Sequence, residues 1–233
     1  MKYSFAIRKK LGYATGLLAL TLLPACWPVA AQTQANFADL ANHTAEQPSI
    51  GSLVSQGIMR GVSPTEFNPD ANMTNGDFAD SVQKMFNLAV PAQKTNFTDV
   101  PAGSSIYNAV EAVAPYLGRE LICFGCQLGT NFGPNEPASR VVTAVTLVNV
   151  LLAQKKVELL TPDAAETALA NVSDAAQLRG PARVYVATAL QQGVLSLTAD
   201  HAIAGLSPVT RANIAVQLDS VQKKFNVPLV RVP

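Results

Sequence analysis

Residues 207–218 read SPVTRANIAVQL, and their pattern decides the fold because it stands twice more upstream. Thr210 opens an apolar run at helical spacing, Ile214, Leu218, Val221 and Phe225, and Arg211 follows Thr210 directly. A cation in the first turn of a helix opposes the macrodipole by a few tenths of a kcal/mol. Something else must favour Arg211 there.

FNPDANMTNGDFADSV from Phe67 and FGPNEPASRVVTAVTL from Phe132 lie under IAGLSPVTRANIAVQL from Ile203 without a gap. In each, an apolar residue stands eight positions before one polar slot, filled by Asn75, Arg140 and Arg211. Upstream, Phe37-Ala38-Asp39-Leu40, Phe97-Thr98-Asp99-Val100 and Val172-Ser173-Asp174-Ala175 are versions of one opening, with the aspartate 36, 41 and 37 residues before the slot. A Gly-apolar turn lies between: Gly57-Ile58-Met59-Arg60-Gly61, Leu121-Ile122-Cys123-Phe124-Gly125 and Gly193-Val194-Leu195. The chain therefore holds three copies of one unit, 36–89, 96–154 and 170–226, with a tail at 227–233.

Each unit reads as helix, loop, helix. The first helices carry Ile50, Leu53, Val54 and Ile58; Val110, Val113, Ala114 and Leu117; and Val184, Val186, Ala187, Leu190 and Val194. The second helices start at Thr74, Ser139 and Thr210, whose hydroxyls suit the N-cap. Met73, Ala138 and Val209 precede them at the place of a hydrophobic staple, where alanine gives little grip. The core stripes follow as Phe78, Val82 and Met85; Val142, Val145, Val148 and Leu152; and Ile214, Leu218, Val221 and Phe225. One such hairpin cannot bury its apolar face alone, whereas three can pack about a shared centre. The expected fold is mainly α, three helix-loop-helix repeats in a pseudo-threefold bundle.

Composition agrees with a packed body: of 233 residues 48% are hydrophobic and 14% charged. Lys2, Arg8, Lys9 and Lys10 precede LGYATGLLALTLL and the small residues Val29-Ala30-Ala31, so 1–31 reads as a signal peptide. Leu23-Pro24-Ala25-Cys26 offers an alternative cut that would lipidate Cys26, the one route by which a membrane enters the reading. Cleavage near Ala31 is favoured, and leaves thirteen basic residues against sixteen acidic. That balance excludes a nucleic-acid-binding role.

The pattern resembles the S-layer homology (SLH) family from Phe37 to Phe225. Its motifs appear as Phe67-Asn68-Pro69, Phe132-Gly133-Pro134, Thr210-Arg211-Ala212 and His43-Thr44-Ala45-Glu46. The resemblance implies a non-catalytic envelope protein that binds peptidoglycan-linked, anionic, pyruvylated polysaccharide in grooves between units. It implies ligand contacts at Arg140 and Arg211 with their caps Ser139 and Thr210, and uncharged ones at Asn75 and Thr74. The expected chemistry joins free N–H groups at a helix N-terminus to a guanidinium that grips a carboxylate in bidentate fashion. The family's tryptophan is absent, its place taken by Thr44, Ser105 and Pro181. Tyr107 and Tyr185 lie nearby as partial substitutes or as core residues.

Other readings stand beside this one. Arg140 and Arg211 could be solvated or structural, and Asp39, Asp99 and Asp174 suit local turns in which the carboxylate bonds nearby backbone N–H groups. His43 and His201 have no metal-ligand spacing with any cysteine, so no metal or cofactor is expected. Cys123 and Cys126 read as a local disulfide of an exported protein, with a thiol oxidoreductase as a remote alternative. No phosphate loop, nucleophile elbow or paired-carboxylate motif points to an enzyme. An exported protein of the periplasm or cell envelope follows, its partner a wall polysaccharide. The rival is an interaction module for other envelope proteins whose repeats have drifted from sugar recognition.

Overall fold

The computed structural model describes residues 37–118 and 130–230. The chain divides into two units, Met1–Gln32 and Thr33–Pro233, and every described residue belongs to the second. The signal-peptide reading, Cys26, and the Cys123/Cys126 pair lie outside the described residues.

The architecture is mainly helical. Seven α-helices are described: α1 (Gln47–Ser55), α2 (Asn75–Phe86), α3 (Tyr107–Val113), α4 (Arg140–Ala153), α5 (Pro162–Leu169), α6 (Ala182–Gln191) and α7 (Arg211–Lys224). Short 3₁₀ turns stand at Ala38–Leu40, Ala114–Tyr116 and Ala175–Gln177. Thr74, Ser139 and Thr210 cap α2, α4 and α7 as their chemistry requires, each side chain accepting the N–H three residues on. The same helices end alike. Asn87, Lys155 and Asn226 take positive φ, and the next residue's N–H returns to a carbonyl of the last turn.

Helix α5 is a correction to the sequence reading, which placed nothing between 154 and 170. Its signal is present: Thr161 caps Ala164 N–H, Pro162 fills the first helical position, and Ala165 and Leu169 are buried. It packs on α6. The α4 stripe is also broader than the periodicity indicated. Val142 and Leu152 are only partly buried, while Val141, Ala144, Leu147, Val150 and Leu151 are fully enclosed. Helix α4 has neighbours on several sides, being packed by α6, by α2 and by the 3₁₀ turn at Ala114–Tyr116.

The helices pair in a cycle. The first helix of each sequence unit lies on the second helix of another: α1 on α7, α3 on α2, and α6 on α4. The second helices begin at a closed ring of backbone hydrogen bonds. Met73 N–H donates to Val209 C=O at 2.8 Å, Val209 N–H to Ala138 C=O at 3.0 Å, and Ala138 N–H to Met73 C=O at 2.8 Å. Ala138, expected to be a weak staple, is instead a buried member of this ring. At the other end Lys156 Nζ donates to Phe225 C=O, and Lys84–Asn87, Gln154 and Val227–Val230 line one cavity of about 310 Å³. The second helices therefore run in the same direction. Their aligned dipoles are answered by Lys84, Lys223 and Lys224 in the last turns, with Lys155 and Lys156 just beyond α4.

The three aspartates do not serve local turns, which corrects that expectation. Asp39 accepts Phe67 N–H at 3.1 Å and Asn68 N–H at 2.6 Å; Asp99 accepts Phe132 and Gly133 N–H, both at 2.7 Å; Asp174 accepts Ile203 N–H at 2.7 Å and Ala204 N–H at 2.9 Å. Each carboxylate ties the opening of its unit to the loop before the second helix. Asn68, Gly133 and Ala204 share one register there and all have positive φ, 60°, 70° and 49°. Alanine pays a Cβ penalty in that region that glycine avoids. Ala204→Gly is expected to gain about 0.5–1 kcal/mol, after the entropy that glycine adds to the unfolded chain. A thermal melt reads this as a rise of roughly 1–4 °C.

Candidate functional site

The junctions between units are built from the first turns of α2, α4 and α7. In α2, Asn75 N–H donates to Glu136 C=O and Gly76 N–H to Pro134 C=O, both at 2.9 Å. In α4, Arg140 N–H donates to Ser207 C=O and Val141 N–H to Gly205 C=O, both at 3.0 Å. In α7, Arg211 N–H donates to Ala71 C=O at 2.9 Å and Ala212 N–H to Pro69 C=O at 3.0 Å. The cap hydroxyls of Thr74, Ser139 and Thr210 take the third N–H. The expected free N–H groups are thus spent: each helix start docks on carbonyls of the following unit's loop, and leaves no open anion cradle of its own.

The polar-slot side chains act at the same junctions. Arg211 Nε donates to Phe67 C=O at 2.9 Å and Nη2 to Arg60 C=O at 2.6 Å, with the guanidinium carbon 4.6 Å from the centre of the Phe67 ring. Its side chain is 8% exposed. Burial pulls the guanidinium below its ordinary range, against the opposing pull of Asp77 and Asp39. Arg140 repeats the device one unit earlier, with Nε donating to Ile203 C=O at 2.8 Å and Nη2 to Ser196 C=O. Asn75 Nδ2 donates to Gly133 C=O at 3.0 Å. The residue at the helix start is therefore a clamp on the next unit, and these bonds offset the dipole cost that sequence reasoning could not balance.

The arginines differ in what else surrounds them. Arg140 borders an open cavity of about 280 Å³, with Thr143 beside it, Gly193–Ser196 across it, and Asn213, Val216, Gln217 and Ser220 of α7 along one wall. Two of its five N–H donors are used, and Nη1 has no partner among the described residues. At the Arg211 junction carboxylates are already present. Asp77 Oδ2 lies 3.8 Å from Arg211 Nη1, and Asp80 Oδ2 is held by Arg60 at 3.0 Å and Lys84 at 2.7 Å.

Thr44, Ser105 and Pro181, in the place of the missing tryptophan, are exposed. Tyr107 is buried with its hydroxyl on Asn96 Oδ1 at 2.8 Å, in keeping with a core role, and Tyr185 is partly buried. His43, which the sequence assigned no ligand, lies 3.3 Å from Asp70 and 3.7 Å from Glu46. Among the described residues there is no cluster of three or more metal-type ligands, and no helix long and apolar enough to cross a membrane.

This arrangement can be set against known proteins. Residues 36–79 match the S-layer homology domain. The chain is 26% identical over 208 residues to the Surface-layer 125 kDa protein of Lysinibacillus sphaericus, covering 88% of this chain and 16% of that protein. It is 26% identical over 179 residues to the Exoglucanase XynX of Acetivibrio thermocellus, covering 76% and 15%, and 27% identical over 177 residues to the Amylopullulanase of Thermoanaerobacterium thermosulfurigenes, covering 75% and 9%. The chain thus spans between 9% and 16% of the length of these relatives. The matched SLH segment runs from the first opening through the start of α2, and so includes Asp39, Phe67 and Asn75.

Proposed function

We propose that this protein is a non-catalytic cell-envelope protein that holds to the wall by binding a peptidoglycan-linked, pyruvylated polysaccharide between three SLH units. The axial ring of hydrogen bonds and the cyclic helix pairing support three equivalent units around a pseudo-threefold axis, although the SLH match itself covers only the first. Of the two arginine junctions, that of Arg140 carries the binding site. The single observation behind this is the open cavity beside a partly exposed guanidinium with an unspent Nη1, where a sugar carboxylate has room and a charge to meet. Arg211 serves as a clamp, because its carbonyl partners and Asp77 leave it enclosed.

Co-sedimentation of the mature protein with isolated wall sacculi tests this. Arg140→Ala should weaken retention about tenfold, the loss of a charged hydrogen-bonded contact. Gln217→Ala, which alters the wall without removing the charge, should have a smaller effect, and circular dichroism checks that both variants fold. Raising the salt should weaken wild-type retention. Retention indifferent to Arg140→Ala and to salt would sink the glycan reading. The exposed Thr44, Ser105 and Pro181 favour a second reading, a protein-interaction module with degenerate sugar sites. Retention that survives Arg140→Ala but vanishes after protease treatment of the sacculi selects it.

A further inference from the structure

The Arg140 cavity holds a second charged group, from a unit that the pairing of Arg140 with the third unit does not involve. Glu46, at the N-cap of α1, lines the same cavity. Arg140 and Glu46 are the only charged residues among its described lining. They come to it from different units. Arg140 Nη2 reaches Ser196, and the Arg140 N–H reaches Ser207, just before the start of α7, where Asn213 enters the wall. Glu46 is three residues before Ser49, whose hydroxyl donates to Asp219 at 2.8 Å, next to Ser220 and two turns further along α7. To the same cavity α7 presents Asn213, Val216, Gln217 and Ser220, the i, i+3, i+4, i+7 face of one helix. Gln217 Nε2 is tied to Val194 C=O at 2.6 Å. The Glu46 carboxylate is about one-third exposed, with His43 Nδ1 3.7 Å away on α1's own approach.

A purely anionic ligand would meet Arg140 in this cavity and be repelled by Glu46, which lines it too. We infer that the cavity is matched to a glycan unit that carries both a carboxylate and a free amine on one sugar. Arg140 takes the carboxylate and Glu46 the ammonium, while Asn213, Gln217 and Ser220 offer hydrogen bonds to the sugar's hydroxyls. An N-acetylated sugar has no charge to give Glu46 and leaves that carboxylate facing the ligand unpaired. The inference rests on the glycan reading above and names the class of ligand within it.

Two probes separate the possibilities: the methyl glycoside of 4,6-pyruvylated glucosamine with its amine free, and the same compound N-acetylated. Affinities are measured by calorimetry at pH 7 for the wild type and for Glu46→Gln. The wild type should prefer the free amine about fivefold, the order of a part-exposed ion pair, and Glu46→Gln should abolish the preference. Equal wild-type affinities, or a preference that survives Glu46→Gln, would overturn the inference while leaving the glycan reading standing. So would failure of both probes with a protein that sacculi still retain. Failure of both probes together with loss of retention by sacculi overturns both.

Discussion

Arg211→Met is expected to lower the melting temperature by roughly 5–12 °C, the equivalent of about 2–4 kcal/mol in a domain of this size. Methionine keeps an unbranched, apolar contact with the Phe67 ring but cannot donate to Phe67 C=O or Arg60 C=O. Phe67 C=O would then be left buried without a partner, which costs more than the bond itself contributes, while Arg60 C=O is only part-buried and can be met by water. One term works the other way. Removing a buried cation relieves its desolvation, and the Asp77 partner at 3.8 Å is too distant and exposed to offset that cost alone. The experiment therefore decides which wins: an unchanged or raised melting temperature would show that desolvation outweighs the two carbonyl bonds. Arg140→Met is the matched control. It loses the equivalent pair of bonds at a more open site, so its melting temperature should fall less while its retention by sacculi falls more.

Asp174→Ala should destabilise by a similar 2–4 kcal/mol, since two charge-assisted bonds to Ile203 N–H and Ala204 N–H disappear at once. The effect is on a loop that also supplies Gly205 C=O and Ser207 C=O to α4, so the docking of the second unit on the third should loosen with it. Amide hydrogen exchange of Arg140 and Val141 reads that loosening directly. Protection unchanged at both would separate the loop from the junction and refute the link. The equivalent Asp39 adds a pH dependence. Burial raises its pKa, but the N–H groups of Phe67 and Asn68, with a smaller contribution from His43, outweigh that and hold it below the ordinary carboxylate value. A depressed folded pKa means stability that is complete above the unfolded value near 4 and is lost as pH falls through the folded value. Melting temperature should therefore drop below about pH 4, and the drop should be shallower in Asp39→Asn than in the wild type.

How far the sequence reached depends on the range of each interaction. The N-caps at Thr74, Ser139 and Thr210 were legible because a cap joins residues three apart, and the apolar stripes because helical periodicity is local. The α5 signal, Thr161 before Pro162, is equally local, but it falls between the repeats, where no second copy marks it. Repetition also marked Asp39, Asp99 and Asp174, yet assigned them the wrong partners, since the N–H groups they accept lie 28 to 34 residues away. Spacing carries no distance information across a loop. Nothing along the chain connects Glu46, in His43-Thr44-Ala45-Glu46, to Arg140, 94 positions later, although the two line one cavity.

By itself, the sequence placed Asn75, Arg140 and Arg211 in one register, each directly after a capping hydroxyl that opens a helix. Tertiary structure decided what the slot does. The first-turn N–H groups taken as an anion site are spent on the carbonyls of the next unit, and the misplaced arginine is held by two more of those carbonyls. The same tertiary packing separates equals. Arg211 is enclosed against Phe67 and Asp77, while Arg140 opens onto a cavity that a residue of the first unit completes. Equivalence is a property of the pattern along the chain; exposure depends on which neighbours the closed cycle brings to each junction.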